Sequence, residues 1–140
     1  MVEEYDSIMQ NDVSEIVPRL EGKSVVTSKW LYKVKFAADG SIEKHKAQFV
    51  ARGFSQVEGI DYDETFAAIA RYTSILTIMA IAAEMGWRIH QMDVKTAFLN
   101  GILEEEVYIE QPQGFEVFRR DTHVCCLWKA LYTLKQAPRT

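Results

Sequence analysis

The sequence predicts an α+β fold. Several segments alternate apolar and polar residues as strands do, and one segment has apolar residues at helical spacing. These strand and helix segments do not alternate regularly along the chain. With 140 residues, 48% of them hydrophobic and 26% charged, the chain has the size and composition of one ordinary globular domain. Its composition therefore supplies enough apolar side chains for one core.

The stretch SKWLYKVKFAADGSIEKHKAQFVARGF predicts a β-hairpin, with a two-residue turn at Asp39-Gly40 between its alternating halves. In this register Trp30 faces Phe49, and one face of the hairpin collects four lysines. These are Lys33, Lys35, Lys44 and Lys46. Like charges that face each other destabilise a strand pair, so this face indicates either an anionic partner or a solvated surface on which salt screens the repulsion.

Charge is segregated along the chain, although the net charge is only −4. Residues 28–52 hold six Lys/Arg against two acids, whereas residues 1–16 and 102–116 each carry five acids and no Lys or Arg. The net charge argues against a protein that coats nucleic acid indiscriminately. The hairpin is the part of the chain suited to an anionic ligand.

From Thr73, apolar residues at helical spacing predict a core helix that ends at Gly86. Residues 87–94 predict a short strand, followed by a helical turn or two, and two further strands are expected near residues 107–110 and 124–128. The first ten residues lack the pattern of a secretory signal. Because Cys125 and Cys126 are adjacent, they fit neither a disulfide framework nor a zinc site. We expect an intracellular chain, cytoplasmic or nuclear, without a membrane partner.

Asp93 stands at the end of the strand predicted over residues 87–94, immediately before the helical turn. A carboxylate there suits a magnesium ligand, because Mg²⁺ takes one or two carboxylates together with substrate phosphates. The alternative is a helix cap, since an Asp oxygen before a helix accepts free backbone N–H groups. The spacing leaves both interpretations open.

Five blocks resemble, in order, the reverse transcriptase (RNA-directed DNA polymerase) of copia-type LTR retrotransposons. They are KWLYKVK, KAQFVARGFSQVEGIDYDETFA, RYTSI, GWRIHQMDVKTAFLNGILEEEVYIEQPQGF and LYTLKQAPR. The resemblance implies a right-hand polymerase fold, with a leader segment over residues 1–27 and the fingers and first part of an incomplete palm over residues 28–140. The resemblance leaves open whether the chain is part of a longer polyprotein.

The resemblance makes Asp93 the first catalytic aspartate, a ligand of two Mg²⁺ ions, and Val94 a second ligand through its backbone carbonyl. Phe98 is similar to the aromatic gate under the incoming sugar, although an ordinary core aromatic fits the same position. The partners implied are a deoxynucleoside triphosphate and an RNA or DNA template–primer. The residues implied to contact the nucleotide are Lys46, Arg52, Val94, Phe98, Tyr132 and Lys135, and those implied to contact nucleic acid are Lys33, Lys35 and Lys44.

The sequence also departs from the family pattern. The 140 residues contain no Tyr-x-Asp-Asp block and no Asp-Asp pair. The acidic stretch DYDET, from Asp61, is expected to be a solvated or capping loop rather than a metal loop. Thr133 replaces the family's glycine, and a β-branched residue there is expected to crowd the site or strain the turn. Basic residues are also replaced at four positions, which are Gln48, Leu76, Cys126 and Trp128.

Three functions remain open at this point. The first is a polymerase fragment that is inert by itself because two of three catalytic carboxylates are absent. The second is a non-catalytic nucleic-acid-binding module, and the third is a retroelement remnant without a role. The remnant hypothesis predicts exposed apolar surface and aggregation. The binding module predicts an affinity that weakens steeply with salt.

Overall fold

The structure is a computed structural model that describes residues 1–67, 69–92, 94 and 96–140. Strands and helices are mixed along this part of the chain, so the predicted α+β class is confirmed. The elements are α1 (Val2–Gln10), β1 (Ser14–Pro18), β2 (Ser28–Phe36), β3 (Ile42–Ala51), α2 (Tyr72–Glu84), β4 (Ile102–Ile109) and β5 (His123–Lys129), with short 3-10 helices at Gly53–Ser55 and Ala97–Asn100.

A three-stranded antiparallel sheet in the order β1-β5-β4 carries most of the core. Val26 extends it beside β4, where its N–H donates to the Tyr108 carbonyl over 2.8 Å and its carbonyl accepts from the Glu110 N–H. Apolar residues of β4, β5 and the segment after β5 fill one cluster, with Val107, Leu127 and Leu131 almost fully buried. This sheet is the rigid base for the neighbouring hairpin and helix α1.

The hairpin of β2 and β3 has the predicted register over most of its length. Lys33 faces Lys46, and Lys35 faces Lys44, so the four-lysine face exists as expected. The prediction of a two-residue turn is wrong. The Ala37 N–H donates to the Ser41 carbonyl over 2.8 Å, and Gly40 between them adopts a φ of +83°. This three-residue loop shifts the pairing, and the register changes between Lys35 and Phe36.

Helix α1 was not predicted, although its pattern is amphipathic. Ile8 is buried in the core, and the Tyr5 ring stacks on Phe115 with centroids 4.4 Å apart. The spacing of Tyr5, Ile8 and Met9 is the helical i, i+3, i+4 pattern that identifies such a face. Burial of Ile8 and the stacking of Tyr5 hold α1 against the sheet and beside β3.

Helix α2 forms as predicted, but its predicted place in the core is wrong. Within α2, whose residues are all described, Ala82 alone is buried, while Ile78 is 63% exposed. Gly86 ends the helix with a φ of +65°. Residues 87–92 and 94 form no strand, against the prediction, and Asp93 lies outside the described residues.

In the part of the chain that the structure describes, neither α-helix has the length and apolar character needed to cross a bilayer. Helix α1 has nine residues and α2 has thirteen. A bilayer-spanning helix needs roughly 20 residues.

Candidate nucleotide and nucleic-acid groove

A groove of about 1010 Å³ runs beside β3, between helix α1 and the 3-10 helix at Ala97–Asn100. This volume is at the upper end of the range, roughly 300–1,000 Å³, that is usual for small-molecule sites. Its described lining is mixed polar and apolar: Met1, Val2, Glu3, Glu4, Ser7, Lys35, Lys44, His45, Lys46, Ala47, Gln48, Val94, Thr96, Ala97, Phe98 and Tyr132.

Six residues with predicted ligand contacts lie together in this groove, although the sequence separates them by up to about a hundred positions. They are Lys35, Lys44, Lys46, Val94, Phe98 and Tyr132. Lys33, Arg52 and Lys135 are not among the described lining residues. Lys33 faces Lys46 on the hairpin, and Arg52 is half-buried just after β3. The predicted catalytic and metal-binding residue Asp93 is outside the described residues.

Phe98 and Tyr132 form the aromatic wall of the groove. Their rings meet edge to face, with centroids 5.4 Å apart and planes at 67°. Both side chains are partly buried against the main core cluster and also line the groove. Phe98 therefore combines features of the two interpretations that the sequence left open, and its role as a gate stays a prediction.

Helix α1 brings two carboxylates to the lysines of the groove. Glu3 forms an ion pair with Lys44 at 3.6 Å, and both side chains are largely exposed. Glu4 is more enclosed, and its Oε1 atom finds no hydrogen-bond partner among the described residues. Burial raises the pKa of Glu4, while the backbone of Phe49 and the charge of Lys46 oppose this shift. The groove thus has a basic side and an acidic side.

The DYDET stretch acts as a capping loop at Asp61, one of the two forms expected from the sequence. The buried Asp61 carboxylate accepts hydrogen bonds from the Val57 N–H over 2.7 Å and from the Ser24 hydroxyl over 3.4 Å. Asp63 and Glu64 are exposed, and Glu64 pairs with Arg139 at 3.5 Å. In the described residues, no group of three His, Cys, Asp or Glu side chains is placed to hold a metal ion.

Thr133 carries the backbone strain that the sequence predicted. Its φ is +71°, in the left-handed region that β-branched residues avoid. The Thr133 hydroxyl compensates in part, because it donates a hydrogen bond to the Ala51 carbonyl at the end of β3. The strained turn is therefore fixed to the hairpin beside the groove residue Tyr132.

Lys135 lies outside the groove lining and contacts Tyr62, a residue that was not predicted from the sequence. Its Nζ donates to the Tyr62 hydroxyl over 3.0 Å and lies 4.9 Å from the centroid of the Tyr62 ring. Glu3 and Glu4 of the groove and the buried glutamines Gln56 and Gln136 were likewise not predicted from the sequence. The helical spacing of residues 5–9 was the available signal for α1, whereas nothing in the spacing pairs glutamines that lie far apart in the chain.

Comparison with known proteins defines the class. Residues 11–140 match the family described as reverse transcriptase (RNA-dependent DNA polymerase), so the chain belongs to that family. The predicted copia-type resemblance is confirmed by relatives that are Pol polyproteins of plant transposons. No solved structure matches the chain significantly.

The chain is similar to three such polyproteins. It is 47% identical to the retrovirus-related Pol polyprotein from transposon TNT 1-94 of Nicotiana tabacum, over 99% of this chain and 10% of the relative. For the polyproteins from transposons RE2 and RE1 of Arabidopsis thaliana, the identities are 46% and 41%, over 83% and 99% of this chain. These alignments cover 8% and 10% of the relatives. The chain therefore spans about a tenth of the length of these relatives.

Proposed function

We propose that residues 28–140, after a leader at residues 1–27, form the fingers and first part of the palm of a copia-type RNA-directed DNA polymerase. Their role is to bind a deoxynucleoside triphosphate and an RNA or DNA template–primer. The single observation that carries this proposal is the groove, which gathers six of the predicted ligand contacts. An intracellular setting, in the cytoplasm or nucleus, follows from the same role.

The chemistry of the groove fits a phosphate ligand with a sugar and a base. Lys35, Lys44 and Lys46 supply mobile ammonium groups, which bind phosphate as point charges. The Phe98 and Tyr132 rings offer apolar surface for the sugar and the base. Lys33 extends the basic face along the hairpin for the nucleic-acid backbone. We assign Arg52, just after β3, to the triphosphate.

Magnesium belongs to this proposal through Asp93 and the backbone carbonyl of Val94. Two such ions would activate the attacking oxygen and stabilise the leaving oxygen in nucleotidyl transfer. Since the sequence contains no Asp-Asp pair to join Asp93, we expect no tight metal binding by these 140 residues alone. The chain's own residues contribute phosphate binding and sugar contact.

We also propose that these 140 residues do not extend a primer by themselves. The sequence contains no Asp-Asp pair to join Asp93, and one carboxylate does not hold two ions beside a triphosphate. Incubation of the purified chain with primed RNA template, nucleotides and Mg²⁺ tests this. We expect no extension product, and measurable extension would refute it.

Binding is tested by fluorescence anisotropy with a labelled primed RNA template over a range of salt concentrations. Each of K35E, K44E and K46E should weaken binding at low salt and lower the slope of log affinity against log salt by about 1, as loss of a phosphate contact does. R119E, which makes the same charge change in the exposed Arg119–Asp121 pair, is the control. Equal effects of the control and the groove variants would contradict a defined binding groove.

A second candidate, the remnant without a role, is favoured by one observation. Apolar side chains along α2 are exposed, as the remnant hypothesis predicts. Concentration-dependent association in sedimentation experiments, together with absence of template binding, would favour it over the binding groove.

A further inference from the structure

Two buried glutamines join the loop at residues 53–62 to the segment at residues 131–137. Gln56 is 5% exposed and Gln136 is 0% exposed, and the Gln56 Nε2 donates to the Gln136 Oε1 over 3.0 Å. The Gln136 Nε2 donates to the Asp61 carbonyl over 2.9 Å. The Gln56 Oε1 accepts the backbone N–H of Lys135 over 2.8 Å. Because an unpaired amide at this depth is costly, the pair fixes the loop and the Lys135 backbone together.

A close backbone contact fixes the same two segments independently. A Cβ atom added to Gly53 would collide with the Thr133 carbonyl oxygen, so only glycine permits this approach. Thr133 in turn donates its hydroxyl to the Ala51 carbonyl, just before the loop. The position of the loop relative to residues 132–135 is therefore set at both ends.

Tyr62, at the end of this loop, holds the ammonium group of Lys135. Tyr62 is buried, at 7% exposure, whereas Lys135 is exposed and would otherwise sample many rotamers. The hydroxyl accepts one hydrogen bond from the ammonium over 3.0 Å, and the ring lies 4.9 Å away. An ammonium has three donors, so two remain for phosphate oxygens.

We propose that Tyr62 is a positioning residue that fixes the Lys135 ammonium, from the loop that Gln56 and Gln136 hold in place, for binding of a nucleotide's phosphates. This inference rests on the proposed function and extends it to Lys135, for which the family resemblance implies a nucleotide contact although Lys135 is not among the described residues that line the groove. Tyr62 does not itself contact the phosphates. The effect of Tyr62 on nucleotide affinity is exerted only through Lys135.

The position of Lys135 is measured directly by side-chain NMR of the full 140-residue chain. The Lys135 ε-methylene resonances should be shifted upfield by the Tyr62 ring and should move to ordinary lysine values in Y62L. The conservative variant Y62F should keep most of this shift, because it keeps the ring. An unshifted Lys135 in the wild type would overturn the proposal, as would a shift that persists in Y62L.

Affinity for dTTP with Mg²⁺, followed in the same spectra, tests the purpose of the contact. K135A and Y62L should each weaken binding by about three- to tenfold, the usual value of one hydrogen-bonded contact. In the K135A background Y62L should have no further effect, whereas a merely structural role of Tyr62 would weaken binding again. Y72F, at an exposed tyrosine of α2, is the control.

The two proposals fail in different ways. Absence of dTTP binding by the wild type would overturn the proposed function and with it the purpose of the contact, while the Lys135 shift would still show whether Tyr62 fixes the ammonium. Binding that K135A weakens but Y62L leaves unchanged would overturn the positioning role alone.

Discussion

The β1-β5-β4 sheet and helix α2 both carry large apolar side chains, but their surroundings differ. Leu127 at the centre of the sheet is almost fully buried, and Leu131 just beyond β5 is buried as well. In α2, Ile75, Ile78 and Met79 are all exposed, although they have the spacing of a core-facing stripe. The difference shows that apolar spacing predicts which residues share a face, whereas burial depends on what packs against that face.

The largest difference between the two regions should be in the loss of stability when an apolar side chain is truncated. We expect L131A to lower the free energy of unfolding by about 2–5 kcal/mol, because it removes a buried side chain and leaves a cavity. I78A in α2 is the matched truncation, and it should change stability by less than about 0.5 kcal/mol. Urea denaturation of both variants measures this, and a similar loss in I78A would show that α2 is packed in solution.

Burial in the sheet should also protect the thiols of Cys125 and Cys126 from thiol reagents. Burial raises the pKa of the Cys125 thiol to about 11, and burial also raises the pKa of Cys126. At pH 8 only about one Cys125 in a thousand is then a thiolate, so reaction with a thiol reagent should be slow in the folded chain and fast in denaturant. Rapid labelling of Cys125 under native conditions would contradict the packing of β5.

The strained turn after β5 should respond to loss of its Cβ. T133A and T133G both lose the hydroxyl bond to Ala51, but T133A keeps the Cβ at a φ of +71°. We expect T133G to be more stable than T133A by about 0.5–1 kcal/mol, since relief of left-handed strain exceeds the entropic cost of glycine. Thermal unfolding compares the two, and greater stability of T133A would argue against strain.

A smaller effect, on the pH dependence of stability, should follow from Glu4 beside the groove. Burial raises the pKa of Glu4 above its ordinary value of 4.5, so the folded chain holds this proton more tightly than the unfolded chain. Stability should therefore fall as pH rises from about 4.5 through the folded pKa. E4Q should remove this part of the pH dependence, as measured by urea midpoints between pH 4 and 7. An unchanged pH profile in E4Q would show that Glu4 does not titrate in this range.

Local rules predicted the hairpin well and its turn poorly. The pairing from Trp30 with Phe49 to Lys35 with Lys44 follows from alternation, which forces one face outward. The turn differed because the Asp39 carboxylate accepts the N–H and hydroxyl of Ser41, which stabilises a three-residue loop. In the groove, family resemblance supplied the ligand residues, while the contacts of Glu4 and Tyr62 depend on chain segments far apart in sequence.

Backbone NMR with a primed RNA template and dTTP shows whether the groove beside β3 binds nucleotide and template–primer. Binding there should shift the resonances of Lys44, Lys46, Phe98 and Tyr132, which line the groove, and none along α2. Shifts confined to α2, or no shifts in the groove at ligand concentrations that saturate binding, would contradict it.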